Sequence, residues 1–369
     1  MAEDLYDSEE DYSSSSYESS SEDNSPLSIR ADGTFHGVVS DGDVDKVISL
    51  LNPENIDLLD YFGRTPLHVA IQNGYYEICK VLIAKGANLD LPLTDGRTPL
   101  HVTASGNLEI CELLIIAGAN VNSRDETGVS PLQYAIQSGR DDICKLLIKN
   151  KADLDSASND GRTPLHYAIQ NGYYEICLLL ITAGANVNSQ DIVGMSSLHI
   201  AAMGDWDECY LLIKNKADVN MTTNDGLTPL HYAALTGQMS ICQLLIQNDA
   251  NINAQDNNGM TPLHYAASVN NSVLVKFLLK YGARQSVVLR NNSNELPVDL
   301  TNNPEIIETL TWTLIRIQNE DAEYPGPSAP PPPPTGGAKR KRKSKRKKRS
   351  KKPRSKRKKR SKKKRSKKR

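Results

Sequence analysis

Six cysteines and seven histidines are the side chains of this 369-residue protein best suited to chemistry, as metal ligands, nucleophiles or disulfide partners. Their spacing argues against all three uses. Cys79, Cys111, Cys144, Cys177, Cys209 and Cys242 follow one another at intervals of 32, 33, 33, 32 and 33 residues. All seven histidines (His36, His68, His101, His166, His199, His231 and His264) fall in one register of the same period. From His68 onward each histidine with a cysteine partner precedes it by 10 or 11 residues, and no Cys-x-x-Cys pair occurs, so no tetrahedral zinc set is in prospect. A disulfide needs Cα atoms within about 7 Å, whereas equivalent positions on neighbouring packed helices lie roughly 8–10 Å apart. The cysteines read as small buried hydrophobes in a reducing compartment. No metal and no cofactor are expected. No nucleophile–base pair, phosphate loop or carboxylate pair stands outside the register, so enzymatic activity is not expected either.

A period of this length is a property of the backbone. Thr65-Pro66-Leu67-His68 returns at Thr98, Ser130, Thr163, Ser196, Thr228 and Thr261, with substitutions only in the third and fifth units. Such self-similarity means a stack of helical units. Thr or Ser at the first position suits an N-cap, and Pro at the next suits the first turn of a helix. Gly74 and its equivalents serve the turn between two helices, where positive φ is needed. Gly86, Gly118, Gly184 and Gly282 end the second helix, and Asn150, Asn215 and Asn248 stand near that place in other units, as residues tolerant of the left-handed conformation.

The unit resembles the ankyrin repeat: a β-turn finger, Thr-Pro-Leu-His-x-Ala opening a first helix, a Gly turn, a second helix, then Gly-Ala-Asx-hydrophobic-Asn. Residues 63–90 carry all of it. The resemblance implies an all-α ankyrin-repeat solenoid whose histidines bond backbone of their own and the next finger. By register, residues 33–62 form a degenerate N-terminal capping repeat, 63–292 seven repeats and 293–320 a C-terminal capping repeat. Residues 1–32, with ten acidic residues and two serine runs, read as a disordered arm; 321–338 are a Pro-rich linker and 339–369 a disordered basic tail. Residues 63–79 and 161–177 differ at one position only, Val69 against Tyr167, which points to duplication of a three-repeat block.

The formal charge of zero hides segregation. The tail holds 25 of the 44 Lys and Arg residues, leaving 19 basic against 44 acidic residues elsewhere. Lys339, Arg340, Lys341, Arg342, Lys345, Arg346, Lys347, Lys348, Arg349, Lys356, Arg357, Lys358, Lys359 and Arg360 match nuclear-import patterns. They also suit phosphate contacts with nucleic acid, without base stacking, since no aromatic residue is interleaved. A nuclear import receptor is therefore one expected partner and the nucleus the expected location, with the cytoplasm as the alternative. No segment is long and apolar enough for a membrane span, so no membrane partner is expected.

The resemblance further implies a protein partner on the concave face, made of finger tips and first helices, and a monomeric chain. Carried over, the face includes Tyr61, Phe62, Arg64, Gln72, Asn73, Arg97, Arg162, Gln170, Asn171, Ile192, Met195 and Met203 as exposed positions. Tyr76, Tyr174 and Trp206 take the place of a usually buried Leu and are expected in the core. The function implied is a non-enzymatic interaction scaffold. The alternatives are a ubiquitin-ligase substrate adaptor, because Leu296–Leu300 with Ile306 and Ile307 faintly resembles an F-box opening, and a cytoplasmic inhibitor masking a transcription factor.

Overall fold

The computed structural model describes residues 35–323, with side chains through residue 319. The acidic arm, the Pro-rich linker beyond Glu323 and the basic tail lie outside the described residues. The array through Asn319 is one compact unit, and Glu320–Glu323, the end of the last helix, belong to a second.

The chain builds helix pairs. They are α1 Phe35–Ser40 with α2 Val44–Leu50, α3 Pro66–Gln72 with α4 Tyr76–Ala84, α5 Pro99–Ala104 with α6 Leu108–Ala117, and α7 Pro131–Gln137 with α8 Asp141–Lys149. Next come α9 Pro164–Gln170 with α10 Tyr174–Ala183, α11 Ser197–Ala201 with α12 Trp206–Lys214, and α13 Pro229–Leu235 with α14 Met239–Gln247. The pair α15 Pro262–Ser268 and α16 Ser272–Tyr281 is followed by two 3-10 turns, Gln285–Val288 and Pro297–Leu300, and by α17 Pro304–Glu323. First helices pack on first helices and second on second, so helices too short to be stable alone are held by a continuous core. The core takes Leu67 and its equivalents and all six cysteines, each fully buried. Ile306 and Leu310 of α17 close it at the C-terminal end.

The first helices α3, α5, α9, α11, α13 and α15 each begin in a capping box with histidine as the third residue. At Thr65 the backbone N–H donates to His68 Nδ1 at 3.3 Å, and the His68 N–H donates to Thr65 Oγ1 at 3.3 Å. With Nδ1 accepting, the proton sits on Nε2, which reaches the next finger: His101 to the Val129 carbonyl at 3.1 Å, His199 to Leu227 at 3.1 Å. Gln133 does the same work in its unit, accepting from Ser130 N–H at 2.8 Å and donating to the Arg162 carbonyl at 2.9 Å. His68 and His264 lack a partner of full hydrogen-bond geometry at Nε2. Burial pushes these histidines below the ordinary range, to about 4 at His68 and His199, so they are neutral in the fold.

The fingers need glycine. At Gly161 φ is +81°, and a Cβ would meet Ile192 N at 2.6 Å, because Ile192 N–H donates to the Asp160 carbonyl at 3.0 Å in the adjoining finger.

Two details depart from the sequence expectations. The left-handed residue after the second helix is Lys151, Lys216 or Asp249, not the preceding Asn. The asparagines cap with their side chains instead; Asn150 Nδ2 donates to the Leu146 carbonyl at 2.8 Å. Positive φ at the inter-helix turn holds for Gly74, Gly139, Gly172 and Gly237, but not for Gly106 and Gly204. Those two units are one residue shorter between His and Gly, and the shorter α5 and α11 enter the turn at a different phase.

Candidate partner-binding face

Fingers and first helices set the sequence-derived residues in two groups. In the first full repeat, Arg64 closes its own finger: its Nε donates to Asp60 Oδ2 at 2.8 Å and its N–H to Asp60 Oδ1 at 2.8 Å. Arg64 Nη1 also donates to Gln72 Oε1 at 3.0 Å, and the guanidinium lies 5.1 Å from the centre of the Phe62 ring. Burial would raise the Asp60 carboxyl, but the hydrogen bonds and charge of Arg64 outweigh it and hold the group below the usual range. Tyr61 packs edge-on against Phe62 with centroids 5.6 Å apart and is 97% exposed. The ring is thus not a core residue.

The second group stands three units on. Arg162 Nη1 donates to Gln170 Oε1 at 3.2 Å, and Arg162 Nε lies 3.5 Å from Asp160 and 3.9 Å from Asp191. Arg162, Gln170, Met195 and Met203 line one open pocket of about 400 Å³ together with Ile169, Ile200, Gly204 and Asp205. A lining that mixes apolar side chains with a guanidinium and an amide can seat an apolar side chain and fix the peptide around it by hydrogen bonds.

Other expected residues stand apart. Ile192 is exposed at its finger tip, next to exposed Val193. Arg97 is tied to Asp95, Nε to Oδ2 at 2.7 Å, outside that pocket. Asn73 and Asn171 spend their amides on their own helices, donating to the Val69 carbonyl at 2.9 Å and the Tyr167 carbonyl at 2.8 Å. Arg64, Arg97, Arg162, Met195 and Met203 are half-buried rather than exposed. The expectation of buried Tyr76, Tyr174 and Trp206 is corrected too: Tyr76 is half-buried, while Tyr174 and Trp206 are exposed on the second-helix side. Trp206 stacks on Tyr210 at 5.4 Å across one helical turn, which shields part of both rings locally. Tyr75 does packing work instead, lying against Gly42 and donating to the Ser40 carbonyl at 3.2 Å.

Sequence reading missed the polar partners under the first helices. Tyr134 donates to buried Asp125 at 2.8 Å and Tyr265 to buried Asp256 at 2.6 Å. Tyr167 meets Ser158 at 3.1 Å. Each pair is nine residues apart, a spacing legible in the sequence once the finger-to-helix geometry is known. The thiols are inert: burial pushes Cys111 up to about 11, and Cys79, Cys144, Cys177 and Cys242 up to about 12. Among the described residues no cluster of His, Cys, Asp and Glu could hold a metal ion, and no helix is long and apolar enough to cross a membrane.

A family model for ankyrin repeats (three copies) matches residues 35–125, 103–191 and 194–290, more than half of the chain. A putative ankyrin repeat protein of fowlpox virus (strain NVSL) is 40% identical over 63 residues, 16% of this chain. The chain covers 15% of that relative's length.

Proposed function

Because the chain belongs to the ankyrin-repeat family, whose repeats are protein–protein interaction scaffolds, we propose that its finger face holds a protein partner centred on the pocket of Arg162, Gln170, Met195 and Met203. That pocket supports the reading: it joins two adjoining units, and its lining combines Ile169, Ile200, Met195 and Met203 with a guanidinium and an amide. Tyr61 and Phe62, three units away, offer a second aromatic contact to an extended partner. Affinity capture with the full chain tests this. Replacing Met203 by Glu abolishes capture of the partner, while replacing exposed Ile116 on the second-helix side by Ser leaves it intact; the reverse pattern refutes the placement.

For the basic tail we propose nuclear import and salt-sensitive, sequence-independent nucleic-acid binding, since its Lys and Arg are interrupted only by five Ser and one Pro and no stacking residue is among them. Imaging the full chain beside a truncation ending at Gly337 tests import. Nuclear signal lost with the tail supports it, and cytoplasmic signal from both overturns it.

A second reading, the ubiquitin-ligase adaptor, is favoured by one observation. α17 buries Ile306 and Leu310 against the array yet leaves Ile307, Trp312 and Ile315 exposed. Co-purification of a ligase scaffold, lost on replacing Trp312 and Ile315 by Ser, would establish it.

A further inference from the structure

We propose that a cleft between α16 and α17 binds a phosphoryl group. Lys276 and Lys280 stand one turn apart on α16, and Arg284 follows its end; Thr309, Thr313 and Arg316 stand on successive turns of α17. All six line one cleft of about 340 Å³. The concentration is unusual for this array. Residues 35–319 carry 18 basic against 31 acidic residues, and none of the basic ones falls between Lys216 and Lys276.

The local charge is only partly answered from within. Lys276 pairs with Glu305, whose carboxyl is held below the usual range by that bond. Lys280 lies 5.6 Å from the centre of the Tyr281 ring, which leaves its ammonium without a counter-charge there. Lys276 and Lys280, one turn apart, repel each other, and an anion between the helices would relieve that repulsion. The threonine hydroxyls donate to carbonyls one turn back, Thr309 to Glu305 and Thr313 to Thr309, each at 2.7 Å. Switching those hydrogens to a ligand oxygen adds two donors at the wall of the cleft.

A phosphoryl dianion fits this chemistry better than other anions. It carries several strong acceptor oxygens for several donors, and cleft walls focus the field of the cations on one small volume. No aromatic residue lines the cleft, so nothing there would stack a nucleobase. Two sources supply the group: free phosphate, or a phosphoserine in an acidic segment. The chain's own residues 13–23 have that second composition, with seven serines beside Glu18, Glu22 and Asp23.

The test is NMR of the full chain labelled with 15N, following the Thr309 and Thr313 resonances, so that binding by the basic tail does not confuse the reading. Inorganic phosphate, a peptide of residues 13–23 phosphorylated at Ser19, and the same peptide unphosphorylated are titrated separately. Saturable shifts are expected with phosphate and with the phosphopeptide, weakened at least tenfold in a K280Q/R316Q variant of unchanged circular dichroism. If the double variant does not fold, K280Q and R316Q singly carry the same prediction at threefold or more. Tighter binding of the phosphopeptide assigns the ligand to a phosphorylated segment, and equal affinities assign it to free phosphate. Absence of saturable shifts, shifts indifferent to the substitutions, or equal shifts from the unphosphorylated peptide would each overturn the proposal.

Discussion

Replacing His199 by Gln removes a definable part of the array's sensitivity to acid. In the fold His199 is fully buried; Nδ1 accepts from Ser196 N–H at 3.0 Å, and Nε2 donates to the Leu227 carbonyl at 3.1 Å. Only the neutral ring can do both. Its pKa is about 4, from a starting value of 6.5, first because burial penalises the charged form. As pH falls below 6.5 the unfolded chain takes up a proton that the folded chain refuses until about pH 4. Stability is therefore present above the unfolded value and is lost on acidification through this window. For one such group the loss between pH 7 and pH 5 is about 2 kcal/mol. Gln133 shows that Gln satisfies the same two backbone groups without titrating. H199Q should thus match the parent at pH 7 to within about 1 kcal/mol, the net worth of a hydrogen bond, and exceed it at pH 5 by about 2 kcal/mol. Urea unfolding at both pH values, followed by the fluorescence of Trp206 in the same repeat, measures it. The reasoning fails if H199Q and the parent lose equal stability between pH 7 and pH 5.

Other substitutions probe the backbone and the thiols. Lys216 holds φ at +69°, so K216G should stabilise by about 0.5–1 kcal/mol, the left-handed strain less the added freedom of the unfolded chain, read as a rise in urea midpoint. G161A should cost about 1 kcal/mol in φ strain plus about 1–3 kcal/mol for the clash with the Ile192 backbone. G172A meets nothing within 4 Å, so it should cost the strain alone, and comparing the two melting temperatures separates the terms. The six buried cysteines should react with a thiol reagent only after denaturation, and prompt reaction of the native chain would contradict their burial.

Much of the fold was legible because its signal is periodic. The Thr-Pro-Leu-His register fixes where first helices begin, and the cysteine register fixes which face of each second helix is buried. What the sequence hid lies where one unit departs from the others. The left-handed residue falls on Lys151 rather than Asn150 because it occupies the place of Gly86, and the preceding Asn stays right-handed with its amide capping the helix. The place two residues after the turn glycine is not a core position in this array: Tyr76 and Leu108 are half-buried there, and Tyr174, Trp206 and Met239 are exposed. At the candidate face, residue types pointed to Met195 and Met203. Only the packing of two units shows that they share a pocket with Arg162 and Gln170, and that Asn73 and Asn171 are spent on their own helices. The cationic cleft was not legible in the register, since Thr309, Thr313 and Arg316 come from α17, beyond the last repeat, to meet Lys276, Lys280 and Arg284 of that repeat.

The central claim is that a protein partner sits on the finger face across the units containing Arg162 and Met203. A photo-crosslinking amino acid placed at position 203, and separately at position 116 on the second-helix side, tests it in cells. A discrete adduct from position 203 and none from 116 is the predicted result. Adducts from 116 with none from 203 would contradict the account.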